Sequence, residues 1–191
     1  MNKIIKSFLL IFFISNYTFS QTVTLGGQVW MNKNLNVSTF RNGDTIPQVQ
    51  GGYEWERAAE KGQPAWCYYE NNSANGETLG KLYNWWAVND ERGLAPVGWH
   101  IPSREEWKKI NEFFGDDKKA SSARKLKNGF NSIAGGRRKH YNGEFESYWP
   151  VYWSNEEFSN RAAYCFINNG SWTQIDFFGQ GYGMYVRCVK D

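Results

Sequence analysis

The stretch His100-Ile101-Pro102-Ser103-Arg104-Glu105-Glu106-Trp107 fixes the start of the clearest element of the fold. Ser103 and Glu106 have the spacing of a capping box, in which each side chain bonds the backbone N–H of the other residue. Two donors that a helix start leaves without partners are satisfied in this way. The sequence therefore predicts a helix over 103–114.

The residues after this start have the pattern of a helix that packs on a core. Apolar side chains recur at spacings of three and four, which places them on one helix face; they are Trp107, Ile110 and Phe114. Glu105 and Lys109 are four residues apart, and we expect them to pair on the outer face. Gly115 is expected to end the helix.

Upstream, two β-prone runs flank a pair of glycines. Thr22–Leu25 and Gln28–Met31 are separated by Gly26-Gly27, and both turn positions of a tight hairpin favour residues that tolerate positive φ. The sequence predicts a β-hairpin here. A second helix is predicted over Gly80–Asn89, and Gly51–Gln63 is expected to be a loop or a short helix.

The C-terminal third is rich in glycine and aromatic residues, which favours short strands. Asn168-Asn169-Gly170 has the Asn-Gly step of a hairpin turn. The expected strands are Tyr148–Trp153, Arg161–Ile167, Ser171–Phe178 and Gly183–Val189. The predicted fold class is thus α+β, with two short helices, small antiparallel sheets and a loop-rich lobe.

Composition describes a single folded domain over 21–191. The chain has 10 Trp, 11 Tyr and 13 Phe in 191 residues, and only 21% of its residues are charged. A disordered chain has the opposite balance. This length suits one domain with one core.

Residues 1–20 have the features of a secretory signal peptide. Lys3 and Lys6 precede an apolar run over Phe8–Ile14, and Ser20 is a small residue at the expected cut. The run is too short to span a membrane. Removing both lysines lowers the net charge from +3 to +1, so no nucleic-acid partner is indicated. We expect a secreted, periplasmic or cell-surface protein.

Three cysteines would then meet an oxidising compartment, where disulfides persist. Cys67, Cys165 and Cys188 allow three single pairings and always leave one thiol over. Neither histidine lies near them in sequence and there is no C-x-x-C pair, so they do not indicate a metal site.

Exposed aromatic rings beside amides and carboxylates suit carbohydrate recognition, because ring faces pack on sugar C–H groups while polar groups bond the hydroxyls. The C-terminal half supplies such residues, although a small loop-rich domain also uses aromatic rings to fill its core. The candidate ligand-binding residues are Trp172, Trp149, Tyr152, Asn155, Asn169 and Asp176. Trp172 is the leading candidate, since it alternates with Thr173 on its strand.

No other motif indicates chemistry. No paired carboxylates or Ser/His/Asp series of motif quality are present, so no catalytic residue, metal or cofactor is predicted. Arg137-Arg138-Lys139-His140 is interpreted as a solvated loop, and His100 as a structural residue without a partner.

A series of motifs in order resembles a known family. The series includes Val29–Asn36, Trp66–Tyr69, Gly80–Asn89, Gly93–Ser103 and a closing Val186–Asp191. It is similar to the Fibrobacter succinogenes major paralogous domain of exported bacterial proteins, which has no established biochemical activity. Cys165 is not part of that pattern, so the resemblance favours a Cys67–Cys188 bridge.

A second resemblance concerns fold. His100–Trp107 is similar to a helix start in formylglycine-generating and sulfatase-modifying domains, which share a C-type-lectin-like architecture. The resemblance implies that architecture here, but Cys165 and Cys188 lack the close spacing of the cysteine pair in those enzymes. The sequence thus favours a non-catalytic binding module for a glycan or a surface protein. An enzyme related to sulfatase-modifying domains and a structural envelope protein remain the alternatives.

Overall fold

The computed structural model describes residues 22–114, 129–133, 135–147, 149–159, 161–168 and 171–191. Within these ranges it does not describe the side chains of residues 111, 114, 158, 163, 165–168 and 171–176. The predicted leader over 1–20, Gly115 and Asn169 lie outside the described residues.

The described part of the chain is a mixture of short strands and few helices. The helices are α1 Gly52–Glu60, α2 Gly76–Leu79, α3 Trp85–Val88 and α4 Arg104–Phe114. The strands are β1 Thr22–Leu25, β2 Gln28–Met31, β3 Trp66–Cys67, β4 Leu82–Tyr83, β5 Trp99–His100, β6 Arg137–Arg138, β7 Phe145–Glu146, β8 Val151–Phe158, β9 Arg161–Asn168, β10 Ser171–Gly179 and β11 Val189–Lys190. All paired strands are antiparallel, which confirms the mixed class with small antiparallel sheets.

The first and last strands of the described chain share a sheet of order β1-β2-β11-β5. Val189 pairs with Trp30 on one side and with His100 on the other. A second sheet has the order β10-β9-β8, and β3-β4 and β6-β7 form two-stranded ribbons. The two ends of the domain are therefore held together by backbone hydrogen bonds.

The N-terminal hairpin is confirmed. Thr22 pairs with Met31 and Leu25 with Gln28, which leaves two residues in the turn. Gly26 has a φ of 57° and Gly27 a φ of 76°. Both values lie in the region that side chains disfavour, so the turn requires the two glycines.

The capping box and the helix over α4 are also confirmed. Ser103 N donates to Glu106 Oε2 at 2.8 Å, and Glu106 N donates to Ser103 Oγ at 3.2 Å. Trp107 and Ile110 are fully buried. The predicted pair of Glu105 with Lys109 is wrong, because Glu105 contacts Lys108 instead, at 3.6 Å.

The predicted helix over Gly80–Asn89 is wrong in its first half. Gly80 has a φ of 73°, which breaks helical geometry, and Leu82–Tyr83 forms strand β4 against β3. Tyr83 N also donates to Met184 O at 2.9 Å. These distant partners make residues 82–83 extended, and only the short helix α3 remains.

The C-terminal strands are confirmed in part. Strands β9 and β10 match their predictions, and Asn168 pairs with Ser171 across the two residues between them. Strand β8 begins at Val151 instead of residue 148. The strand predicted over Gly183–Val189 is wrong, since its first residues form single bridges to separate strands before β11 begins.

Aromatic side chains make up much of the core. One buried cluster includes Trp85 and Trp153, whose ring centroids lie 5.7 Å apart. A second includes Trp30, Trp107 and Tyr152, with Trp107 lying 4.9 Å from Trp30 and 5.5 Å from Tyr152. Helix α4 is thereby packed against β2 and β8.

The predicted Cys67–Cys188 disulfide is wrong. Both thiols are free and fully buried, and they belong to different core clusters. Burial raises the pKa of Cys67 to about 11 and that of Cys188 to about 12. The two residues therefore act as small apolar core side chains.

Candidate functional site

A pocket of about 360 Å³ lies between α1, α3, the segment after β6 and the end of β10. Its size falls within the usual range of about 300–1,000 Å³ for small-molecule sites. We call it the α1 pocket, and its lining residues are Glu56, Ala59, Glu60, Trp86, His140, Tyr141, Gly179, Gln180 and Gly181.

Helix α1 forms one wall of the α1 pocket. Its inner face buries Trp55 and Ala58, and Trp55 Nε1 donates to Gly181 O at 3.0 Å. Glu56 and Glu60 are four residues apart, so they project from one side of the helix. Since both line the pocket, α1 presents two acidic side chains there.

Arg138, in β6, connects the pocket wall that contains His140 to the start of α1. Only 1% of the residue is exposed, and its guanidinium lies 4.6 Å from the centroid of the Trp55 ring. It donates at 2.6 to 3.0 Å to four carbonyl oxygens, those of Val49, Gln50, Gly51 and Gly143. The prediction of a solvated loop over 137–140 is therefore wrong, and Arg137 likewise pairs with Glu146 at 2.8 Å.

His140 lines the pocket, but its two ring nitrogens are buried away from it. Its ring stacks on Tyr182 at a centroid distance of 4.9 Å. Burial lowers the pKa of His140, and the nearby Glu56 carboxylate opposes this shift only in part. His140 therefore contributes ring surface to the pocket.

Gly181 allows helix α1 and His140 to lie close together. A Cβ at this position would lie 2.5 Å from Ala59 Cβ and 2.8 Å from His140 Cβ. Neither neighbour can move aside by a simple rotation, because both atoms are fixed to the backbone. Glycine is therefore the residue that lets the chain pass between α1 and His140.

Trp86 and Gln180 complete the polar groups of the pocket. Trp86 Nε1 is buried without a hydrogen-bond partner among the described residues. Gln180 donates through Nε2 to Glu157 Oε2 at 2.9 Å, which fixes the amide and leaves its Oε1 out of that bond. Aromatic rings, an amide and two acids thus surround one space.

The pocket lining is acidic. Among the described residues, its lining contains two glutamates and no Lys or Arg. In the described part of the chain, neither Glu56 nor Glu60 forms an ion pair. Arg57 and Lys61 directly follow the two glutamates along the chain, and neither is among the lining residues. Lys139, which precedes His140, pairs with Glu144 at 3.1 Å and with Glu146 at 3.6 Å.

Three of the predicted binding residues lie on or just before β8. Trp149 is 37% exposed and Asn155 is exposed. Tyr152 is fully buried, and its hydroxyl lies 2.8 Å from Ser132 Oγ. Its ring thus contributes to the core and offers no accessible face.

Of the other three predicted residues, two have a described backbone and the third is not described. Trp172 and Asp176 lie on β10, where they pair with Ile167 and Tyr164 of β9, and their side chains are not described. Asn169 lies outside the described residues. Strand β9 separates β10 from β8. Of the three whose side chains are described, Trp149, Tyr152 and Asn155, none lines the α1 pocket.

His100 forms a second polar cluster, contrary to the prediction that it has no partner. Its Nδ1 lies 2.7 Å from Asp191 Oδ1, and its Nε2 lies 2.9 Å from Glu106 Oε1. Burial alone lowers the pKa of His100, but hydrogen bonds to Asp191 and Glu106 outweigh burial and raise it. The cluster joins the end of the chain to the start of α4.

The described residues contain neither a candidate metal site nor a helix that could span a membrane. No three side chains of His, Cys, Asp or Glu there are arranged to hold a metal ion. None of the helices in that part of the chain has both the length and the hydropathy that a membrane span requires.

The sequence profile of the Fibrobacter succinogenes major domain matches residues 23–190. This chain belongs to that family. The family has no assigned activity, so membership does not name a ligand or a reaction. No curated protein and no solved structure matches the chain.

Sequence reasoning missed the α1 pocket because its walls come from distant segments. The spacing of Glu56 and Glu60 on a short helix was the one local signal. The role of His140 depends on Tyr182 and Gly181, which are far along the chain. A linear pattern does not display such contacts.

Proposed function

We propose that this protein is exported and acts as a binding module that holds part of a glycan in the α1 pocket. The observation that carries the proposal is a pocket of about 360 Å³ whose lining combines the rings of Trp86 and Tyr141 with two acids and an amide. A hydroxyl-rich ligand can donate to the carboxylates, bond the amide and pack against the rings.

The aromatic lining supports a sugar ligand in particular. Tyr141 is 52% exposed and Trp86 is half-buried, so both rings keep accessible surface beside the polar groups. Aromatic surface with a few placed polar groups is the usual make-up of small-ligand sites.

Export and the fold relationship are further parts of this proposal. The basic start and short apolar run over 1–20 support a secretory signal and thus a periplasmic, cell-surface or secreted location. The pairing of β2 with β11 and the two longer helices, α1 and α4, support a C-type-lectin-like architecture. Fold alone does not define function, so the pocket carries the functional argument.

The two described thiols do not support the alternative that the protein is an enzyme. Cys67 and Cys188 are buried, and burial raises the pKa of each. A reactive cysteine has a lowered pKa and an accessible sulfur. A surface protein as ligand remains the second candidate, because Trp149 and Asn155 are exposed near β8.

The test is a glycan screen of purified 21–191 with three variants. Tyr141→Ala and Trp86→Ala remove pocket rings, and Trp149→Ala removes a tryptophan outside the pocket. We expect saturable glycan binding that is lost in the first two variants and kept in the third. Loss in Trp149→Ala alone would move the site to the β8 surface. No binding by the folded protein would refute the glycan proposal and favour a protein ligand or a structural role.

A further inference from the structure

We propose that the α1 pocket selects sugars that carry a free, protonated amine. This inference rests on the function proposed above and adds the chemical class of the ligand. The argument combines the charge of the lining, its ring faces and its hydrogen-bonding atoms.

The charge of the lining favours a cation. Glu56 and Glu60 line the pocket from one side of α1, and the described residues give neither an ion-pair partner. A neutral sugar that covered these carboxylates would remove water from them without replacing its charge stabilisation. An ammonium group replaces it, because opposite charges attract strongly where water is displaced.

Aromatic rings near the α1 pocket, such as those of Tyr53 and Tyr182, already interact with cationic side chains. The Arg57 guanidinium lies 5.6 Å from the Tyr53 ring centroid, and that of Arg137 lies 5.1 Å from Tyr182. Among the described residues, no Lys or Arg lies over the Trp86 ring. Tryptophan is the aromatic side chain that attracts cations best. The open ring therefore stands beside two acids, a combination that suits an ammonium group.

The hydrogen-bonding atoms fit the rest of an amino sugar. An ammonium group has three donors, and the two glutamates together with Gln180 Oε1 provide acceptors for them. The Tyr141 hydroxyl and the second N–H of the Gln180 amide provide donors for hydroxyl and ring oxygens. A simple amine would leave these donors unused, so the combination favours an amino sugar over a lysine side chain.

The experiment compares two probes that differ only at nitrogen. Short oligomers of glucosamine and of N-acetylglucosamine are titrated into 21–191 by calorimetry, in buffer below the pKa of the sugar amine. We expect the amine form to bind about tenfold more tightly or better, and Glu60→Gln to weaken it about three- to tenfold. The loss caused by Glu60→Gln should be larger for the amine form than for the acetylated form, which has no charge at nitrogen.

Glu54→Gln is the matched control, because Glu54 lies on the same helix and outside the pocket lining. An equal loss in this control would show attraction to overall charge and overturn the inference. Equal binding of both oligomers would overturn the amine selectivity while leaving glycan binding in place. Binding of a lysine-rich peptide but of neither oligomer would overturn both the inference and the proposed glycan function.

Discussion

Replacing Arg138 by methionine should loosen one wall of the α1 pocket while the rest of the fold persists. The substitution keeps a long apolar side chain over Trp55 but removes the donors to four carbonyl oxygens, those of Val49, Gln50, Gly51 and Gly143. Three of these carbonyls come from the segment that leads into α1. The link between that segment and the β6–β7 hairpin is therefore what the variant breaks.

The expected loss of stability depends on which of the four carbonyl oxygens water can reach. Gln50 and Gly51 are exposed residues, so water replaces the lost donors there. Gly143 is buried and Val49 is half-buried, and each unsatisfied buried carbonyl costs about 1–3 kcal/mol. Loss of the buried charge offsets part of this cost. We expect the free energy of unfolding to fall by about 2–4 kcal/mol, out of a typical total of about 5–15 kcal/mol.

Arg187→Met is the matched control. Arg187 is equally buried, packs over the Phe130 ring at 4.4 Å and donates to carbonyl oxygens, but these belong to Met31 and Phe130 and not to the segment that leads into α1. Urea denaturation should show a comparable loss of stability in both variants. Native-state hydrogen exchange should then separate them, because only Arg138→Met is expected to lower protection over Gly52–Glu60 selectively. Equal protection of that helix in the two variants would refute the assigned role of Arg138.

Three further predictions concern single residues. The two histidines should titrate on opposite sides of the reference pKa of about 6.5, with His100 above it and His140 below it, as followed by NMR. His100 then adds stability that is present below about pH 6.5 and lost as the pH rises through its folded pKa, whereas His140 lowers stability as the pH falls below about 6.5. Coincident titration curves would contradict both assignments. In a Cys165→Ser variant, Cys67 and Cys188 should resist a thiol reagent in the native state and both react after denaturation without a reductant, since each is free and buried; the absence of any reactive thiol under those denaturing conditions would contradict this. Gly181→Ala should destabilise the protein by about 1–3 kcal/mol in urea denaturation, because its Cβ would clash with fixed atoms of α1 and His140, and unchanged stability would show that the two walls can separate.

Elements determined by contacts within a few residues could be predicted from the sequence. The capping box at Ser103 and Glu106 and the turn at Gly26-Gly27 each satisfy their own backbone groups locally. Their geometry therefore follows from residue types and spacing. The mixed α/β class follows as well, because it depends on many such local patterns.

Elements determined by distant partners could not be predicted. The helical spacing of apolar residues over Gly80–Asn89 predicted a helix, but Tyr83 pairs with Met184 instead. Arg138 is buried because it donates to carbonyl oxygens of residues 49–51. His100 likewise meets Asp191 from the other end of the domain. Each partner supplies a hydrogen bond or a charge that the local sequence does not reveal.

The position of β11 between β2 and β5 has a consequence for how the chain reaches its native state. The hairpin that contains β2 is among the first parts of the domain to be synthesised, but its second neighbour consists of Val189 and Lys190 near the end. Until those residues arrive, one edge of β2 has open donors and acceptors, and Trp30 lacks its final cover. Pairings between such distant residues also form slowly. A chain with this topology is thus most prone to aggregate before β11 is available, when a chaperone that covers the edge of β2 would protect it best.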